Sequence, residues 1–379
     1  MSLAENLRAA VDGGLSGYET AGGVGPDAYC AASSYHPMAD GKYLQILATL
    51  RRSRLLSEHQ FEARVAAACG RLARAALCRE ENGWCWGLGF PWRGLPAAEP
   101  FLITSALIVR GALDCRCAGS AAEPLLALLG NGVRGLGGWI EGLAIPVGEH
   151  GLSIPAYSPG IRAPIYNAAA CAYATLKQAE VVGCWSAFEA QCRPSLQWIG
   201  SRRVAGLGWP YSPASPVVDL LHQCYILNAM GDVFGTDSIE RAIAEMVGQF
   251  AGACGFADVI HLVASGELEA TRRDIQWLRP LGEQWIEVLP KPARLWSLGE
   301  LLVVVSRLGL DGESAEAWFR LGRRLAESIL QRTSLVDDVE AKYPRHLMHA
   351  LHGLSAYLAL QRERARRPAA GSSPEDGRA

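Results

Sequence analysis

A proline recurs at intervals of 52 to 76 residues along the 379-residue chain, at Pro37, Pro100, Pro164, Pro216, Pro292 and Pro344. An apolar run with helical patterning follows each of them: KYLQILATL, FLITSALIVRGAL, IYNAAACAYATL, VVDLLHQCYILNAM, ARLWSLGELLVVVSRLG and RHLMHALHGLSAYLAL. Proline suits a first helical turn, where the N–H groups have no intrahelical acceptor and a fixed φ is already helical. The spacing therefore predicts six helices that begin alike.

Each interval also holds a second helical pattern, at about residues 55–79, 121–143, 180–203, 236–265 and 312–332. These carry more Arg and Glu, as in EHQFEARVAAACGRLARAAL, so one face is solvated and the other apolar. The proline-led runs are apolar nearly all round, which makes them buried. Buried and amphipathic helices in alternation describe an inner ring inside an outer ring, an all-α (α/α)6 toroid. A helix near residues 3–11 is the expected sixth outer member. An open helical solenoid has a similar signature, but six pairs suffice to close a ring and neither end shows a polar cap. The expected organisation is an N-terminal helix and Gly-rich linker over 1–36, the ring over 37–363, and a disordered tail over 364–379.

Half of the residues are apolar, enough for one large core. The 36 Lys and Arg nearly balance the 38 Asp and Glu, which disfavours nucleic acid and anionic membrane as partners. The sequence shows neither a secretory leader nor an apolar stretch of about 18 residues. Its eleven Cys are scattered through Ala- and Leu-rich stretches, as expected of a cytoplasmic chain. The oligomeric state stays open.

With all inner helices starting on one side, the loops that feed them meet at one end of the ring. They are rich in large aromatics: Trp84, Trp86, Phe90, Trp92 and Arg93 in the first, Tyr157 and Arg162 in the second, Trp209 and Tyr211 in the third, and Tyr343 with Arg345 before the last helix. Such faces suit the apolar flats of a sugar ring, and equally a prenyl chain or carbocation. The helix starts add Thr104, Asn167, Asp219 with His222, and Arg345 with His346. Asp219 and His222 share a helical face, an arrangement that tunes a histidine for proton transfer and that also describes a helix cap. Glu300 stands alone in LWSLGELLVVV. There it is either a buried acid of raised pKa or a partner for Arg294 or an inner-helix histidine. His346, His349 and His352 fall on one helix face without a carboxylate to complete a metal triad.

The segments WCWGLGFPWRG, YSPGIRAPIYNAAACAYATL, WPYSPASPVVDLLHQCYILNAM and YPRHLMHALHGLSAYL together resemble a family of bacterial α/α-toroid proteins, six-hairpin-glycosidase-like, associated with capsule and exopolysaccharide gene clusters. The family's features fall here on Trp84 to Trp92, on Tyr166 with Asn167, and on Asp219 with His222. The third loop departs from the pattern, since SRRVAGLGWPY keeps Trp209 and Tyr211 but lacks the family's Asp. The resemblance implies a toroid in a carbohydrate setting and names no reaction. Lanthionine cyclases share the local Trp84-Cys85-Trp86-Gly87 pattern, but their Cys-His-Gly partner is here His222-Gln223-Cys224. Terpene cyclases use an Asp-x-Asp-Asp acid, and Val336-Asp337-Asp338-Val339 is not that motif.

The resulting expectation is a hydrolase, lyase or epimerase acting on an oligosaccharide or polysaccharide precursor, with no cofactor or metal. Catalysis falls to Asp219, His222 and Glu300. Binding falls to Trp84, Trp86, Trp92, Arg93, Tyr157, Arg162, Tyr166, Asn167, Trp209, Tyr211, Tyr343, Arg345 and His346. The competing readings are a non-catalytic carbohydrate-binding scaffold and a terpene- or lanthionine-cyclase-like toroid.

Overall fold

The computed structural model describes residues 1–79, 83–147, 151–252, 255–263, 278–281, 284–289, 291–310, 314–334 and 338–367. In chain order the helices are α1 (Leu3–Thr20), α2 (Pro37–Arg52), α3 (Glu58–Arg74), α4 (Leu102–Cys117), α5 (Glu123–Gly142), α6 (Tyr166–Val181), the short α7 (Phe188–Gln191), α8 (Arg193–Ser201), α9 (Leu220–Phe234), α10 (Asp237–Phe250), α11 (Leu295–Leu308), α12 (Ala315–Ser334) and α13 (Pro344–Arg366). Helices α2, α4, α6, α9, α11 and α13 each pack on the next, and α13 returns to α2. The ring is closed.

Burial separates the two rings. In α4 every residue from Leu102 to Val109 is buried, and in α11 every residue from Leu295 to Leu302. In α3 only Phe61, Val65, Ala68, Cys69 and Leu72 are, a stripe with helical spacing. The outer helix α1 carries the stripe Leu7, Val11, Leu15 and Tyr18, and packs on α13 and α12.

Several boundaries differ from the sequence reading. Helix α1 runs through Gly13 and Gly14 to Thr20, because Leu15 and Tyr18 extend its buried face and a side chain at Gly14 would meet Leu351 at 2.6 Å. The expected linker beyond it is a hairpin, β1 (Val24–Asp27) with β2 (Cys30–Tyr35). Only Pro37 and Pro344 open a helix; Pro100 and Pro292 instead form β-bridges with Gly87 and Ala257 just before one. The pattern over 180–203 is broken into α7 and α8 ahead of Pro194. That over 236–265 stops as a helix at Phe250, and its end lies outside the described residues. The tail beyond Arg367 also lies outside them.

Short hairpins join the helix pairs: β3 (Leu77–Arg79) with β4 (Gly83–Cys85), β5 (Ala144–Pro146) with β6 (Ser153–Pro155), and, after β7 (Val217–Asp219), β8 (Ala251–Gly252) with β9 (Gly255–Phe256). Strands β10 (Val259–Val263), β11 (Leu278–Leu281) and β12 (Gln284–Val288) join β7 in an antiparallel sheet of order β11-β12-β10-β7. Asp219 pairs with Val259 in that sheet, and the Leu220 N–H donates to the Asp258 carbonyl at 2.9 Å. The sheet thus sets where α9 begins.

Two inner-helix crossings are closed by glycine. A Cβ on Gly299 would lie 2.3 Å from the His349 carbonyl oxygen, and one on Gly353 would lie 2.5 Å from that of Gly299. At the α2–α4 crossing, a Cβ on Gly111 would lie 2.3 Å from the Gly41 carbonyl oxygen.

A charge pair occupies the middle of the ring. Lys42 Nζ of α2 lies 2.6 Å from Glu300 Oε1 of α11, both fully buried, and His352 Nδ1 of α13 lies 3.6 Å from the same oxygen. This corrects the expectation of a raised pKa at Glu300. Burial does push its carboxyl up, but Lys42, with His352 and His349, outweighs that and holds it well below the usual range. The partner is therefore Lys42 with a histidine, and Arg294 lies elsewhere.

Two stability measurements follow. Gly353→Ala should destabilise the fold by about 1–3 kcal/mol in chemical denaturation, because backbone on the facing helix cannot yield as a side chain would; Gly130→Ala, within α5 and with nothing within 4 Å, controls for generic loss of a helical glycine. Glu300→Gln should cost about 3–5 kcal/mol by leaving Lys42 buried and uncompensated, and adding Lys42→Met should recover part of it. Because the folded pKa of Glu300 is depressed, wild type's advantage should be full above its ordinary value of 4.5 and shrink as pH falls below it.

Candidate functional site

The first turns of the six inner helices, with the loops that feed them, line one bowl of about 390 Å3. Each helix contributes: Met38 from α2, Ile103 from α4, Asn167 from α6, His222 from α9, Trp296 from α11 and Arg345 from α13.

The aromatic wall comes mainly from the loops. Trp92 packs edge-on against Tyr157 at 6.2 Å and against Phe101 at 5.7 Å, and Tyr29 at the β1–β2 turn meets Trp92 at 6.5 Å. Tyr211 lies 4.6 Å from the His222 ring. Opposite, Trp296 carries Arg294 and Arg345 over its ring at 4.9 and 5.0 Å.

The charges are largely committed to protein partners. Arg345 makes a bidentate pair with Asp27 at 2.7 Å for each bond, tying α13 to the hairpin, and despite burial this holds the Asp27 carboxyl below its ordinary range. Arg294 reaches Asp219 at 2.5 Å and Asp258 at 2.6 Å. Arg93 differs. Its backbone is left-handed at φ 49°, its side chain is exposed over Trp92 at 4.6 Å, and no carboxylate pairs with it among the described residues.

Asp219 is the N-cap of α9, accepting from the His222 backbone N–H at 3.2 Å, while its other oxygen takes Arg294. The His222 Nδ1 lies 3.5 Å from the capping oxygen and has no hydrogen-bond partner. Burial lowers the His222 pKa more than Asp219 raises it, so the imidazole is neutral at pH 7. The Asn167 side-chain oxygen is likewise buried and unpartnered in the bowl wall.

Of the residues singled out from sequence, Trp92, Arg93, Tyr157, Asn167, Tyr211, Asp219, His222 and Arg345 line the bowl. The others do not. Trp86 and Trp209 are buried anchors: their indole N–H groups donate to the Leu72 and Ile199 carbonyls, each at 2.8 Å. Their backbone N–H groups donate to Ser105 Oγ at 3.0 Å and Gln223 Oε1 at 2.7 Å, side chains in corresponding first turns of α4 and α9. Trp84 sits on β4 against α5, where Gly135 leaves room for its backbone. Tyr166 is buried against Trp198, and Arg162 is exposed outside the bowl. Tyr343 packs edge-on against His346, which stacks on Trp296 at 4.4 Å behind the wall. Glu300 lies deeper, at the central pair.

Tyr29, Trp296, Arg294 and Tyr225 also line the bowl and were not picked out as ligand contacts. Trp296 had a usable signal, standing four residues after Pro292. Tyr29 had none, since a Pro-Asp turn in a Gly-rich stretch does not reveal a hairpin folded back over the ring.

The alternative motifs disperse. Asp338 caps a turn at Val339–Lys342 and pairs with Arg332 at 2.9 Å, away from the bowl, while Val336 and Asp337 lie outside the described residues. His346, His349 and His352 face Trp296, Tyr225 and Glu300 respectively. Among the described residues no three His, Cys, Asp or Glu side chains form a metal-binding group, and no helix is long and apolar enough to cross a membrane.

No family model matches the sequence, and no curated protein is similar to it. Solved structures are similar in fold. A sugar epimerase from a ruminal bacterium superposes with a TM-score of 0.60 at 11% identity, covering 95% of this chain and 99% of that one. Endo-beta-1,4-glucanase CMCax from Acetobacter xylinum gives 0.56 at 10% identity, over 94% and 99% of the two chains. The type II terpene cyclase MstE from Scytonema gives 0.52 at 11%, over 95% and 100%. At such identities the likeness establishes the α/α toroid along nearly the whole chain and leaves the chemistry to the bowl's own residues.

Proposed function

We propose that this chain is a carbohydrate-active α/α-toroid enzyme that binds an anionic sugar or oligosaccharide in the bowl and moves a proton on it, as an epimerase or lyase, within the making of a polysaccharide. His222 carries the reading: a neutral imidazole with an unpartnered Nδ1, held against Tyr211 at the bowl wall. Trp92, Tyr157 and Tyr211 offer aromatic surface to the sugar, Asn167 a free acceptor, and Arg93 an unpaired cation for a carboxylate or phosphate. The resemblance to the capsule-associated toroid family, carried by Asp219 with His222 and Tyr166 with Asn167, supports this reading.

Hydrolysis fits less well. A glycosidase places two carboxyl groups across the scissile bond. Asp219 is the single carboxylate lining the bowl among the described residues, and both its oxygens are engaged. That engagement also favours a second reading, a carbohydrate receptor without turnover, in which Asp219 caps α9 and His222 is merely a contact.

Among candidate uronic-acid oligosaccharides, His222→Ala should lower turnover by roughly 10²–10⁴-fold while binding survives. As a base His222 must be neutral, and its pKa is lowered from 6.5. Wild-type kcat/KM should therefore be flat above neutrality and fall only as pH drops below that ordinary value. Trp92→Ala should weaken affinity by about 1–3 kcal/mol, with thermal melting run alongside. Full activity in His222→Ala would show the wrong base. Binding that depends on Trp92 without turnover of any candidate would establish the receptor.

A further inference from the structure

The toroid has a second opening. At the C-terminal ends of the same six inner helices lies a cavity of about 810 Å3, about twice the size of the bowl. The Lys42–Glu300 pair lies in its floor, and Tyr225 is the single described side chain that lines both spaces.

Its walls are built for hydrogen bonding. The side-chain oxygens of Gln45 and Gln178 and the Ser306 hydroxyl are buried without a hydrogen-bond partner. Gln45 and Ser306 are only 6% and 8% exposed. Buried polar atoms in folded proteins are nearly always satisfied, so a wall with three left open suits a ligand carrying donors and acceptors. The volume is that of a small-molecule site.

The uncommitted charge is positive. Asp232 is held by Arg110 at 2.6 Å and by Arg307 at 2.7 Å. Arg52 and Arg366 reach their nearest carboxylates, Asp114 and Glu363, only at 3.9 Å, and Arg362 has none among the described residues. Cations near helix C-termini offset the helix dipoles, which accounts for arginines in last turns. It does not account for unpartnered Gln45, two turns before the end of α2, or for a cavity of this size.

We propose that this second mouth binds a small polyhydroxylated anion, separately from whatever occupies the bowl: hydroxyl donors meet the Gln45 and Gln178 oxygens, and the anionic group meets Arg362 with Arg52 and Arg366. The proposal does not depend on the bowl being a sugar site.

Titration calorimetry on the full chain at low ionic strength, with glucose 1-phosphate, uridine monophosphate, galacturonate and inorganic phosphate in turn, tests it. At least one of the three organic anions should bind more tightly than inorganic phosphate. Affinity for that ligand should fall tenfold or more in Arg362→Ala and in Gln45→Leu and be unchanged in Trp92→Ala. Phosphate is the recognised group if galacturonate fails, and the sugar if galacturonate and glucose 1-phosphate bind alike. Arg362 is half-buried near a helix end, so its variant keeps the test sound if Gln45→Leu melts early. Failure of all three organic anions to bind, or loss of binding in Trp92→Ala with both mouth variants intact, would overturn the proposal.

Discussion

The ring is assembled around a buried charge pair. Removing Lys42 and Glu300 from water carries a large desolvation cost, which is offset only while the ammonium and carboxylate stay in contact. The contact joins α2 to α11, which flank α13 in the closed ring, so it constrains how far these two helices may slide. His352 faces the same carboxylate, and Lys42 lies 5.4 Å from the centre of the Tyr225 ring. The polar chain continues upward. The His349 Nδ1 lies 2.6 Å from the Arg345 carbonyl oxygen, which can only accept, so Nδ1 carries the proton. Burial and Lys42 keep that imidazole neutral, and its Nε2 therefore accepts from the Tyr225 hydroxyl at 2.5 Å. A septum of paired groups divides what would be a channel into two mouths.

Around that septum the helices approach closely because glycines face backbone at Gly299, Gly353 and Gly111. The loops above are then pinned from both sides. Trp86 and Trp209 each donate an indole N–H to the end of an outer helix and a backbone N–H to an inner helix. Repetition of one device in two repeats explains why these loops can be rich in Gly and Pro and still hold Trp92 and Tyr211 at the bowl wall.

What the sequence revealed follows the same physics. A helix buried all round must be apolar all round, so the inner ring was legible from FLITSALIVRGAL and LWSLGELLVVV, and a common side for the helix starts placed Asn167, Asp219, His222 and Arg345 at one end. Composition does not say which way a loop side chain points. Trp86 and Trp92 stand six residues apart in the same loop, yet one is an anchor and the other a wall. The sheet formed by β7, β10, β11 and β12 was missed because its pairings are non-local, and AEMVGQFAG reads as helix into the turn. Glu300 was legible as costly, but the cation that resolves it is 258 positions away in the chain, at Lys42.

The bowl's charge pattern limits what it can hold. Arg345 and Arg294 are positively charged but committed: one makes a bidentate pair with Asp27, the other bridges Asp219 and Asp258. An arriving anion meets these guanidinium groups already neutralised, so their pull is weak beyond contact distance, and their faces over Trp296 serve to stiffen the wall. Among the described residues lining the bowl, Arg93 alone is an exposed cation without a carboxylate partner. On the proposed reading, recognition of an anionic group falls to a loop, while the neutral histidine sits on a helix whose start is clamped by the sheet. Ligand selection by Arg93 and proton transfer by His222, as proposed, would reside on separate elements, so the first could change without disturbing the second.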